Sequence, residues 1–262
     1  MKSIKKINMS NKISVRILFL AFLYSITICL YAKNKKDSTD LFDTIYTNKN
    51  SNGMKFEIIL EKGIAHNHPT FAIWIEDLEG NYIQPIMVTK FIATGIFGHG
   101  PVNDSAWGIK PGEAYRPAAL PYWNHKRIGQ PVLIKLMPGK NDSIPDAYTS
   151  ATPPGNFILE TGTNEVLNNK FRLVFEINQT WDWNEYWTNN KFPDDKQYKT
   201  SCQPSVVYSV IIDPESDIKE YWLNPIGHGH YSGKDGILYT NLSTLTTAMN
   251  IVKSVKVIVK KL

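Results

Sequence analysis

Short apolar runs rich in Val, Ile, Phe, Tyr and Trp recur along most of the chain, and clusters of Gly, Pro, Asn or Asp close nearly all of them. Runs of this length suit strands rather than helices, and the punctuation turns the chain back after each one. Strands are expected at residues 55–60, 71–77, 82–88, 132–136, 157–161, 171–177, 206–212, 220–223 and 252–259. The runs at 71–77 and 82–88 flank Glu79-Gly80-Asn81 and predict a hairpin. One short helix is expected at 243–250, capped by Ser243 or Thr244. Many strands and one helix predict a mostly β protein, an antiparallel β-sandwich of immunoglobulin-like or related type with long loops. Residues 92–128 follow neither period and are heavy in Gly, Pro and aromatics, so a long excursion over the sandwich surface is expected there.

The amino end reads differently. Lys2, Lys5, Lys6, Lys12 and Arg16 come without an acid, and residues 17–32 carry no charge. A basic segment followed by an apolar one is an export signal. The apolar run is shorter than the roughly 20 residues that span a bilayer core, and Leu30-Tyr31-Ala32 ends it on a small residue. Cleavage is expected after Ala32, which makes the mature chain periplasmic or secreted with no transmembrane anchor; a retained anchor is the competing reading. Residues 33–53 are polar and read as a flexible lead-in, and residues 54–262 as a single β-sandwich domain. The signal takes five of the 29 basic residues with it, leaving 24 to match 24 acidic ones. A balanced surface has no electrostatic footprint for nucleic acid or an anionic membrane. Cys29 also departs, so Cys202 is left without a disulfide partner and reads as a buried thiol beside a Val-rich strand.

Three segments in order, Phe71-Ala-Ile-Trp-Ile-Glu-Asp-Leu-Glu-Gly80, Leu120-Pro-Tyr-Trp123 and Pro145-Asp-Ala-Tyr-Thr-Ser-Ala-Thr-Pro-Pro-Gly155, resemble the domain-of-unknown-function family numbered 2271. The resemblance covers roughly residues 54–213, and residues 227–236 and 245–248 resemble an exported bacterial subset of it. It implies a periplasmic β-domain without an assigned activity, in a family that often accompanies extracytoplasmic flavin and iron redox systems.

Asp146-Ala-Tyr-Thr-Ser-Ala-Thr152 resembles the acceptor motif of proteins modified by flavin transferases. That motif runs Asp, two variable residues, Ser or Thr, Gly, Ala and an acceptor hydroxyl. The resemblance implies FMN held as a phosphoester on Thr152, with Asp146 orienting the loop for the transferase and Thr149, Ser150 and Ala151 as small neighbours. A flavin transferase and a membrane redox partner would then be its partners. The sequence departs from the motif in having Ser150 where Gly is usual and two prolines after Thr152. Pro153-Pro154-Gly155 is expected to turn the chain with Gly155 at positive φ. A plain polar turn feeding the next strand is the alternative.

All six histidines lie in the mature chain. His66-Asn-His68 and His228-Gly-His230 place two imidazoles each on one side of extended backbone, and Pro69 is expected to keep His68 extended. Brought together, the pairs would make a zinc or copper site, with Cys202, Asp235 or His99 as further ligands. Loop histidines that only hydrogen-bond or face solvent are the alternative. Trp181-Asp-Trp-Asn-Glu-Tyr-Trp187 is expected as a strand with Trp181 and Trp183 on one face. With Trp187 and Trp123 these rings suit stacking on a sugar or a flat cofactor, while Asp182, Asn184 and Glu185 meet hydroxyls. Packing over the ends of the core is the alternative. No nucleophile elbow, phosphate loop, dinucleotide fingerprint or His-Glu-x-x-His helix is found, and a carrier or binding protein is favoured over an enzyme.

Overall fold

The computed structural model describes residues 41–103, 106–128 and 136–260. The export segment, the start of the lead-in and nearly all of the strand expected at 132–136 lie outside the described residues. In chain order the strands are β1 (Asp43–Tyr46), β2 (Lys55–Lys62), β3 (Thr70–Glu76), β4 (Tyr82–Thr89), β5 (Ile96–Phe97), β6 (Pro101–Asn103), β7 (Ala106–Trp107) and β8 (Gly112–Glu113). After them come β9 (Thr149–Ser150), β10 (Phe157–Gly162), β11 (Phe171–Asn178), β12 (Val206–Ile212), β13 (Glu220–Trp222), β14 (Asn224–His228) and β15 (Val252–Lys260). Two sheets carry the fold, one ordered β1-β10-β2-β15-β13 and the other β14-β12-β11-β3-β4-β9. The protein is mostly β, with antiparallel pairing except at the edge pairs β1/β10 and β4/β9.

Strand β2 explains the sandwich in miniature. Phe56, Ile58 and Leu60 are buried while the residues between them reach the surface, the period of a sheet with one wet face. Strand β3 lacks that alternation because both of its faces are covered. Its Phe71, Ile73 and Ile75 enter the core between the sheets, and Ala72 and Trp74 enter a second core on the other side. Phe71 stacks on Phe157 at 5.7 Å and meets Phe175 edge-on at 5.6 Å, tying the two sheets face to face.

The second core shows what residues 92–128 do. The short helix Lys90–Thr94, strand β5 and the helix Pro121–Ile128 lie against the outer face of the six-stranded sheet as a third layer. Ile92, Ala93, Leu120 and Trp123 pack there on Trp74, Val88, Val174 and Val207.

Two expectations need correction. Residues 41–53 are not a mobile lead-in, because β1 pairs with β10 and Thr47 is buried, donating its hydroxyl to the Ile86 carbonyl at 2.8 Å. Polar composition there serves side-chain hydrogen bonds instead of solvation. Residues 243–250 form only a 3₁₀ turn, Ala248–Asn250. Leu245, Ala248 and Ile251 are buried at a spacing of three, which a 3₁₀ turn satisfies as well as an α-helix does. Neither expected cap serves, since Ser243 bonds Asn241 and Thr244 Oγ1 accepts the Trp187 indole N–H.

Candidate functional site

The segment expected to accept a cofactor lies at one edge of the six-stranded sheet. Asp146–Tyr148 is a 3₁₀ turn with Asp146 exposed and Tyr148 buried, its hydroxyl donating to Asn164 Oδ1 at 2.6 Å. Thr149–Ser150 then pairs in parallel with Val88 and Thr89 as the edge strand β9. Thr149 Oγ1 donates back to the Pro145 carbonyl at 3.1 Å, so that hydroxyl is engaged. Ala151 is exposed and Thr152 half-buried, and no hydrogen bond to the Thr152 hydroxyl is found among the described residues. Gly155 does not take the positive φ expected of it. The two prolines turn the chain with their own fixed φ, and Asn156 Oδ1 accepts the Lys62 backbone N–H at 2.9 Å to set the exit into β10.

His66 joins this loop to its neighbours. Its Nε2 lies 3.3 Å from the Pro153 carbonyl and its Nδ1 3.3 Å from the Ile251 carbonyl. Burial lowers its pKa, and the two carbonyls oppose that shift. On the Ile251 side is a cleft of about 490 Å³ lined by Lys62, Ile64, Met249, Asn250, Val252 and Lys253. Gly63 allows the close packing of its wall, because a Cβ there would fall 1.9 Å from the Asn250 carbonyl oxygen. Lys253 pairs with Glu61 at 2.7 Å and pulls that carboxyl below its usual range.

The two His-x-His pairs do not combine. Among the described residues no group of three or more His, Cys, Asp or Glu is placed to hold a metal ion. His68 is exposed with φ of 50°, not extended as Pro69 suggested; its ring meets Asn67 Oδ1 at 3.0 Å, while Gln179 holds the Asn67 N–H. His228 ends β14 and stacks on Tyr239 at 5.4 Å, with Nδ1 2.7 Å from the Gly229 carbonyl. His230 stacks on Tyr231, accepts the Ser232 N–H at Nδ1 and directs Nε2 towards Asp235 Oδ2 at 4.0 Å. Burial lowers the pKa of both. His99 Nδ1 lies 3.0 Å from the Gly108 carbonyl. Cys202 is buried and free, its thiol pushed up to about 11 by desolvation.

The four tryptophans divide. Trp123 and Trp187 are buried in the two cores and present no stacking face, whereas Trp181 and Trp183 are 52% and 56% exposed. Residues 181–187 do not form the expected strand, and Trp181 has φ of 57°. Asn184 ties the loop down through Nδ2 to Gln203, Thr244 and Thr246 and through Oδ1 to the Tyr186 and Trp187 N–H groups. Asp182 is buried, accepts the Thr247 hydroxyl and has its pKa raised by desolvation, while Glu185 stays at the surface.

One chemically unusual group went unmarked in the sequence. Glu176 of β11 is fully buried and accepts the Tyr122 N–H at 3.2 Å, the Trp123 N–H at 2.7 Å and the Ser205 hydroxyl at 2.5 Å. It thereby caps the helix Pro121–Ile128 from another element, satisfying amides at its first turn. Desolvation outweighs these bonds and pushes its pKa up to about 7. A lone acid inside Phe171-Arg-Leu-Val-Phe-Glu-Ile177 was the available signal. No protein-family model matches the chain, and no curated protein or solved structure matches it.

Proposed function

We propose that the chain is exported and carries FMN as a phosphoester on Thr152, serving extracytoplasmic electron transfer as a carrier. The observation that carries this reading is the Thr152 hydroxyl, which has no hydrogen bond among the described residues and lies on an edge loop beside exposed Ala151. In the modification, Thr152 Oγ attacks the FMN phosphorus of FAD; the new O–P bond forms as the bond to AMP breaks, and the hydroxyl proton passes to a base on the transferase. Edge position suits this, since a transferase can reach β9 from its unpaired side.

The residues nearby fit the attached group in part. Lys62 brings positive charge to the cleft beyond His66, which suits a phosphoester, and Ile64, Met249 and Val252 give it apolar wall. Trp123 and Trp187 are buried, so ring stacking by them is not part of this reading. The resemblance of residues 146–152 to the acceptor motif supports the same assignment. The test is co-production of the full chain with a flavin transferase and FAD supply. A yellow protein, colourless when Thr152→Ala is made but still yellow with Ser150→Ala, is expected. A colourless wild-type protein rejects the reading.

A further inference from the structure

The loop at residues 181–187 is unrelated to the Thr152 edge in its chemistry, and it has features of a second binding surface. Trp181 and Trp183 each leave about half of the side chain in solvent, and neither indole stacks on another ring among the described residues. A bulky aromatic residue rarely adopts positive φ, so Trp181 is held in its outward pose at a local cost. What holds it is visible. Its N–H donates to the Thr200 carbonyl at 3.2 Å, the Asp182 N–H to Ser201 at 2.9 Å, and the next turns are fixed by the five hydrogen bonds of Asn184. Trp187 points inward and anchors the base through its N–H to Thr244 Oγ1 at 3.0 Å. The backbone that carries the exposed rings is therefore preorganised, and a ligand would not have to order it.

The rim names the ligand class. Asn184 Nδ2 bonds both the Thr244 carbonyl and Thr246 Oγ1, which sets the segment 241–247 beside the aromatic loop. That segment exposes Asn241, Ser243, Thr246 and Thr247 and contains no charged residue. Within the loop the one exposed charged side chain is Glu185, and the neighbouring Lys191 is already seated on the Tyr186 ring and its carbonyl. Neither the loop 181–187 nor the segment 241–247 contains a Lys or Arg with which to meet a polyanion. Apolar C–H faces to stack on indole, together with many hydroxyls to meet amide and hydroxyl side chains, are the properties of a neutral sugar chain.

We propose that Trp181 and Trp183 form a platform for a neutral glycan, with the hydroxyl-rich segment 241–247 as its polar border. The inference does not rest on Thr152, and a protein that takes up no flavin leaves it standing. The test is calorimetric titration of the full chain with cellohexaose, xylohexaose, mannohexaose and maltohexaose, and with heparin as the anionic control. Binding of at least one neutral hexasaccharide is expected, weakened about tenfold or more by Trp181→Ala and by Trp183→Ala and unchanged by Trp222→Ala, a half-exposed tryptophan on β13. Should Trp181→Ala fail to fold, Trp183→Ala and Trp183→Phe decide, because that side chain is not in a strained backbone pose. Absence of binding to all four sugars, binding that survives loss of Trp183, or a preference for heparin would overturn the proposal.

Discussion

Replacing Glu176 by Gln probes the attachment of the third layer and comes with a defined pH signature. Burial lifts this carboxyl from 4.5 to about 7 in the folded chain, while the unfolded chain keeps the ordinary value. Between those two values the folded state holds a proton that the unfolded state has released. Stability is then greatest below the unfolded pKa and falls as pH rises through the folded one. The gap corresponds to a loss on the order of 3 kcal/mol, complete above roughly pH 7. Gln cannot ionise, so this contribution vanishes in Glu176→Gln, although setting an amide against the Trp123 N–H lowers overall stability by roughly 1–3 kcal/mol. Urea unfolding of both proteins between about pH 5 and pH 8 reads the difference. Parallel pH profiles for the two would refute the argument that Glu176 bears the cost of a buried charge.

Further substitutions test the packing around it and at the other end. Gly229→Ala should destabilise by about 1–3 kcal/mol, because its Cβ would lie 2.4 Å from Pro121 Cγ and 2.7 Å from Ser205 Oγ; a thermal melt checks this. Asn184→Ala should cost about 1–3 kcal/mol and raise proteolysis within residues 181–190, seen by limited digestion. Thr47→Val should lose about 1–2 kcal/mol in urea unfolding by breaking the bonds to Ile86 and Thr161, and an unchanged midpoint would return residues 41–53 to the role of a lead-in.

Much of the fold is legible in the chain because strand period and turn chemistry are local. The runs at 55–60, 71–77, 82–88, 157–161, 171–177, 206–212 and 252–259 all became strands, since each carries its own apolar pattern and its own stop. The third layer was not legible. Its evidence was the unbroken apolar run of β3, which says that both faces are covered without saying by what. The turn at 248–250 was misread because a spacing of three is common to two helix types. The site was harder still. Two histidines at i and i+2 point to one side only in regular strand, and His68 at φ of 50° is not in one. Trp187 and Trp181 are both aromatic and close in sequence, yet one is core and the other surface, a choice made by Asn184 between them and by Thr244 from a distant part of the chain.

The most direct measurement is tandem mass spectrometry of the tryptic peptide 141–170 from chain produced with a flavin transferase. One FMN phosphoryl group, with fragment ions that assign it to Thr152 and leave Thr149 and Ser150 unmodified, is the predicted result. An unmodified peptide, or FMN on any other hydroxyl, would contradict the account.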